Sequence, residues 1–289
     1  MSLSRGDKGS EVTRLQNTLI ALGHPLPRWG ADGDLGSETL DTVSELLTAH
    51  GRTIDPDANV VDDKELAFIY ALHDLMTAPP SKDASPPAMI DRRSFAGNNK
   101  DRGPREWTKV TGWCLHQTAC HLGASSNIAR CDGVGAHFVV YQDGRIFWLH
   151  DLNRIIIHGN GWNSQTIGIE IDGLFAGVED DPSTVWDDPS TSYKEKAMSV
   201  TQAQIDAVKQ LIRWGTAEVA KHGGRVHKLV AHRQSSGTRR NDPGSKVWKE
   251  VAIPMSAELG FDYGGIGFTV GSGYPIPEAW DPKAKGIKY

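Results

Sequence analysis

From Val110 onward the chain alternates short β-rich runs with one long amphipathic stretch, and few architectures accept that order. Residues 111–116, 137–141, 145–149, 167–171 and 228–232 read as strands, rich in Val, Ile, Phe and Trp and bounded by turn residues. Gln142-Asp143-Gly144 joins the second and third as a hairpin, because Gly144 accepts the positive φ that such turns require. Thr201 and Gln204 have capping-box spacing and open a long helix carrying Ile205, Val208, Leu211, Ile212 and Val219, closed by Gly223-Gly224. A last helix is expected over 247–259. Strands interleaved with helices predict an α/β domain with a mixed central sheet flanked by helices.

The first part of the chain is written differently. Ser10 is a candidate N-cap, followed by Val12, Leu15, Leu19 and Leu22 on one face and a Gly23 stop. A second helix starts near Ser37 with Leu40, Val43, Leu46 and Leu47, and a third covers 64–76. Pro79-Pro80 and Pro86-Pro87 forbid helix, so residues 79–108 read as a linker. The expected division is a small helical domain (1–78), a linker (79–108) and an α/β domain (109–289). Residues 174–200 read as an acidic, solvated insertion, and the glycine- and aromatic-rich tail beyond residue 260 as a segment wrapping the domain surface.

Composition removes several classes of function. The longest purely apolar run, residues 66–72, is far below the ~20 residues that span a bilayer. Residues 1–78 hold 6 Lys and Arg against 13 Asp and Glu, and residues 79–289 hold 25 against 23. Neither part has the basic excess of a nucleic-acid or anionic-membrane binder. The first ten residues lack the apolar core of a secretory signal, so synthesis in the cytoplasm is expected. Three cysteines, Cys114, Cys120 and Cys131, allow at most one bridge.

The histidines point to chemistry. Five of the eleven lie between His116 and His158, and His232 ends a predicted strand. Asp242 follows ten residues later, in a loop of glycine, proline and small polar residues able to fold back on His232. Two imidazoles and one carboxylate, with a position left for water, form a catalytic zinc arrangement. Spacing alone leaves the alternative open that His116 and His232 are unrelated polar strand ends. Glu170 stands in a strand that otherwise reads Ile-Gly-Ile-x-Ile, and alternation puts it opposite Ile169 and Ile171.

Leu115-His116-Gln-Thr-Ala119, Gly168-Ile-Glu170-Ile-Asp-Gly173 and Ala231-His232 through Asp242-Pro-Gly244 together resemble the type 2 N-acetylmuramoyl-L-alanine amidases. That group takes in phage lysozyme-like amidases, muropeptide-recycling amidases and peptidoglycan recognition proteins. The resemblance covers about residues 108–260. It implies Zn²⁺ held by His116, His232 and Asp242, with Glu170 as the general base. Arg240 falls where relatives carry Lys; the resemblance implies that it steadies the oxyanion, although a guanidinium gives up no proton, and plain phosphate-like or surface pairing is the alternative. It also implies substrate contacts for His137, His158 and Asn163, with an ordinary hydrogen-bonded role the equal alternative for the two histidines. The implied reaction is hydrolysis of the amide between N-acetylmuramic acid and L-alanine in peptidoglycan, in a phage endolysin or bacterial autolysin. A non-catalytic peptidoglycan-binding protein on the same fold is the rival.

The stretch Arg5-Gly-Asp-Lys-Gly9 through Asp32-Gly-Asp-Leu-Gly36-Ser-Glu-Thr39 is similar to the peptidoglycan-binding type 1 domain, a three-helix module. This resemblance implies wall binding by residues 1–78, with Trp29 either stacking on sugar or packed.

Overall fold

The computed structural model describes residues 2–22, 24–49, 52, 59–77, 85–124, 126–185 and 197–289. The Gly23 stop and positions 186–196 of the insertion lie outside the described residues. The chain divides into two compact units, residues 1–78 and 79–289.

In the first unit, β1 (Leu3–Ser4) pairs antiparallel with β2 (Val60–Val61), and three helices pack around them: α1 (Ser10–Ala21), α2 (Ser37–Ala49) and α3 (Asp63–Thr77). Leu15, Leu19, Leu46, Leu47 and Ile69, spaced to share helix faces, are fully buried in one core. Gly9, not Ser10, caps α1: its φ of 120° is open to glycine, and its N–H donates to Gly33 O. The buried amide of Gln16 donates to Asp32 Oδ1, Asp34 O and Thr39 Oγ1 and accepts from Gly33 N, so one side chain fixes the turn between α1 and α2. Trp29 is 67% exposed, which removes the packing alternative, and Glu38 holds its backbone N–H.

The second unit opens with β3 (Met89–Asp91) and β4 (Asp101–Pro104), followed by β5 (Gly112–Gln117), β6 (Phe138–Val140), β7 (Ile146–Trp148), β8 (Arg154–Ile156), β9 (Thr166–Ile171), α4 (Gln202–Lys221) and β10 (Lys228–Ala231). A helical run closes the order: α5 (Ser245–Val247), a π turn (Trp248–Ala252) and α6 (Ile253–Leu259). The six-stranded sheet runs β10-β5-β9-β6-β7-β3, parallel except at the β6–β7 hairpin. β4 and β8 form a separate antiparallel pair.

The linker expected over 79–108 is corrected by β3 and β4. Paired prolines exclude helix, but they tolerate an edge strand, which needs partners on one side only. Here β3 pairs with β7 alone. Farther on, Arg105 is buried and donates to the carbonyls of Leu152, Asn163 and Thr166.

The core lies between the sheet and its helices. Trp113, Leu115, Ile167, Ile169 and Ile171 cluster with Val208, Leu211 and Ile212 of α4. The capping box forms as expected, and the Gln204 amide goes on to donate to Asp172 O and Val140 O, tying α4 to the ends of β9 and β6. At the outer edge of β10, Asp262 accepts from Leu229 N and donates to His227 O. All three cysteines are free thiols.

Candidate metal centre

Two neighbouring parallel strands end at the site. β5 delivers His116 at its C-terminal end, and β10 delivers His232 just beyond its own. The loop after His232 returns Asp242, as its turn-rich composition predicted. His116 Nδ1 lies 3.0 Å from His232 Nδ1, His232 Nδ1 lies 3.0 Å from Asp242 Oδ2, and His116 Nδ1 lies 4.0 Å from the same oxygen. All three residues are buried; His232 is the most accessible at 9%.

Whether these groups suit a metal can be tested on their protons. His158 Nε2 lies 3.4 Å from Thr166 O, which can only accept, so that nitrogen carries the hydrogen. His158 Nδ1 is then a bare acceptor 3.0 Å from His116 Nε2, which must donate to it. This leaves His116 Nδ1 as a lone pair facing His232 and Asp242. One proton on His232 Nδ1 answers only one of those two neighbours. Burial, followed by the neighbouring charges of His232 and His158, holds the His116 imidazole well below its ordinary pKa, so protonation does not relieve the crowding. Tetrahedral zinc with bonds of about 2.0–2.1 Å separates its ligand atoms by roughly 3.4 Å, between the observed 3.0 and 4.0 Å. The donor set fits a divalent ion. A second group within reach, Cys114, His116 and His158, shares His116. Burial pushes the Cys114 thiol far up, which disfavours the thiolate a metal needs.

Outer partners hold His116 and Asp242 in place. Asp242 Oδ1 accepts from Gln117 N at 2.9 Å, which turns Oδ2 inward. The Gln117 amide donates to Asn241 O and Phe175 O and accepts from Phe175 N, locking the end of the Asp242 loop against the strand. Gln117 was not among the expected site residues; its only signal was adjacency to His116. On the floor, a Cβ on Gly168 would meet the His158 ring at 2.7 Å, so that position must be glycine.

Glu170 pairs in register with His116 across β5 and β9, which sets both on one face of the sheet. Its Oε2 is shielded from water and has no hydrogen-bond partner. Burial, reinforced by the charge of Asp242, raises its carboxyl well above the usual range, while Arg239 works the other way. Arg239 also acts on His116. Arg240, the residue expected to face the reaction, is exposed, and its guanidinium lies over the rings of Tyr289 at 4.7 Å and Tyr274 at 5.4 Å. Arg239 is the arginine whose charge bears on both His116 and Glu170, and in an Arg-Arg pair sequence gives no means to choose.

The expected substrate contacts are also redistributed. His137 is fully buried with both nitrogens engaged by backbone: Nδ1 accepts from Gly168 N and Nε2 donates to Arg154 O. It offers a substrate no polar atom. Asn163 Oδ1 accepts from the N–H groups of His158 and Gly159, so it shapes the turn that presents His158. His158 is occupied by His116 and Thr166, and burial drives its pKa down to about 3.

Comparison with known proteins gives the following matches. Residues 106–245 match the family described as N-acetylmuramoyl-L-alanine amidase. The N-acetylmuramoyl-L-alanine amidase CwlL of Bacillus licheniformis is 41% identical over 69 residues, 24% of this chain and 19% of the relative. A probable N-acetylmuramoyl-L-alanine amidase of the same organism is 43% identical over 53 residues, 18% of this chain and 15% of the relative. The chain thus spans less than a fifth of the length of these curated relatives. Among solved structures, an endolysin amidase, LysCS from Clostridium intestinale, aligns with a TM-score of 0.41 at 17% identity, over 62% of this chain and 99% of that one. Peptidoglycan recognition protein-LE in complex with tracheal cytotoxin aligns with the same TM-score at 18% identity, over 61% of this chain and 96% of that one. His116, Glu170, His232 and Asp242 all fall inside residues 106–245, the stretch that matches the family described as N-acetylmuramoyl-L-alanine amidase.

Proposed function

We propose that the second unit hydrolyses the amide between the lactyl group of N-acetylmuramic acid and L-alanine of the stem peptide in peptidoglycan. The observation that carries this reading is the convergence of His116, His232 and Asp242 beside Glu170, within the family-matched residues. His116 and His232 would hold zinc through Nδ1 and Asp242 through Oδ2. Zinc bound there supplies Lewis-acid polarisation of the scissile carbonyl and acidification of water. Glu170 removes a proton from the attacking water and returns it to the leaving amine, a role worth ~10²–10⁴-fold in rate. Arg239 opposes the upward shift of Glu170 and supplies positive charge as the carbonyl oxygen becomes anionic. His158 orients His116 through the Nε2–Nδ1 hydrogen bond, an outer-partner role in place of a substrate contact.

The N-terminal unit acts as a wall-binding module with Trp29 offered to sugar, raising the local concentration of the catalytic unit on an insoluble substrate. Its acidic balance makes shape and hydrogen bonding the means of recognition. A phage endolysin released at lysis is the setting that best suits this pairing, ahead of a bacterial autolysin. The non-catalytic recognition reading leaves Glu170 without a purpose.

The deciding experiment incubates purified peptidoglycan with the protein and zinc and identifies soluble products by mass spectrometry. Stem peptides with a free L-alanine amine, beside peptide-free glycan, are expected. Wall pelleting without released peptide would replace the amidase with the binding protein.

A further inference from the structure

Two of the three metal-facing side chains, His232 and Asp242, bracket one loop, and that loop has little regular structure to hold it. Beyond the Gln117 and Phe175 contacts at its far end, what holds it comes from the C-terminal segment, past the family-matched residues. Arg233 is buried at 1% exposure in the middle of the contact. Its N–H donates to Asp242 O at 3.0 Å, its Nη1 donates to Arg240 O, and its Nε donates to Pro275 O at 2.9 Å. Tyr274 N donates to Arg233 O at 2.7 Å. The Arg233 guanidinium lies over Trp280, Tyr289 and Tyr274, and Arg240 lies over the same two tyrosines. One residue, through its backbone and its side chain, therefore joins both ends of the Asp242 loop to the tail.

The tail is anchored on either side of that contact. Val270 N donates to Gln234 O, and Gly237 N donates to Ser272 Oγ. Trp280 Nε1 donates to Gly177 O, and the Tyr289 hydroxyl to Thr184 O. A Cβ on Gly177 would fall 1.9 Å from the Tyr289 hydroxyl, so the ring needs a glycine beneath it. Phe268 and Val270 pack against the Cys114, Trp162 and Val230 cluster on the site face of the sheet. A segment with no helix or strand of its own is thereby fixed at five points around the loop.

We propose that residues 261–289 form a strap that keeps the Asp242 loop in its metal-binding geometry, with Arg233 as the positioning residue that transmits the hold. This rests on the zinc reading above, and it extends the functional site past residue 245. A buried guanidinium spread over carbonyls and three ring faces is costly to place for packing alone. Its bonds to Arg240 O and Asp242 O fix the backbone beside a ligand, where small displacements weaken metal binding.

The test uses the full chain carrying Tyr274→Ala and Tyr289→Ala together, with zinc alone as the probe. Amide hydrogen exchange without metal should rise at least about tenfold across 233–242, with β5 and β9 unchanged. Zinc affinity, measured by competition with a chelating dye, should fall by about 10–100-fold. The Tyr274→Phe and Tyr289→Phe pair, which keeps both rings, should restore both values. Unchanged exchange and unchanged affinity would overturn the strap; faster exchange with unchanged affinity would overturn its link to the metal. If the double variant unfolds as a whole, Tyr289→Ala alone is read by the same two measurements. Failure of the parent protein to bind zinc would sink the zinc reading itself, and loop exchange would still decide whether the tail holds the loop.

Discussion

The two faces of the β5–β9 pair obey opposite rules. On one, Trp113, Leu115, Ile167, Ile169 and Ile171 are fully buried against one another and α4, and burial of apolar area is their whole purpose. On the other, Cys114, His116 and Gly168 are buried, and Glu170, half-buried, turns one carboxyl oxygen away from water, so a thiol, an imidazole, a bare backbone and a carboxyl share that face. The first face lowers the free energy of folding; the second raises it and gains reactivity. Neighbouring residues on one strand should therefore respond to substitution in opposite ways.

The sharpest break in that contrast is removal of a ligand. His232→Ala or Asp242→Ala should lose zinc by more than the about 10–100-fold that an outer partner costs, and hydrolysis with it. Metal content after gel filtration checks this, and full retention of zinc would refute the ligand set. Glu170→Gln should keep zinc and lose ~10²–10⁴-fold in rate. Its stability should match or exceed that of the parent, because an uncompensated buried carboxyl is gone. Next door, Ile169→Ala should cost about 2–5 kcal/mol in urea unfolding, which is the apolar face answering in its own terms. A similar loss of stability in both variants would erase the distinction between the faces.

The arginine pair gives a finer comparison. At saturating zinc, Arg239→Ala should lower the hydrolysis rate toward the about 10²-fold of a lost oxyanion donor, while Arg240→Ala lowers it far less. The reverse order would return the cation role to Arg240. The smallest effect is expected for His158→Asn, which keeps an acceptor near His116 Nε2 and should weaken zinc by no more than about tenfold.

Most of the scaffold could be read from local chemistry. The hairpin at Gly144, the Thr201 and Gln204 cap and the apolar faces of the strands each follow from rules acting over a few residues. His116, His232 and Asp242 stand at strand ends and in a turn-rich loop, but spacing left open that the two histidines were unrelated, and only the family resemblance joined the three. β3 escaped because its partner β7 is more than fifty residues away and its prolines signal only what they forbid. The backbone partners of His137 and of the Asn163 carbonyl were not legible for a related reason: position near a cleft does not reveal which backbone groups a side chain meets. The choice between Arg239 and Arg240 turned on Tyr274 and Tyr289, more than thirty residues downstream.

Asp262 gives the sheet a protection that matters under crowding. β10 is an outermost strand, and an unpaired strand edge is a template on which another chain can add. The two backbone hydrogen bonds between Asp262 and residues 227 and 229 occupy part of that template from within the same molecule. Proteins gathered side by side on an insoluble polymer meet one another's edges often, and here that edge is already engaged at its start.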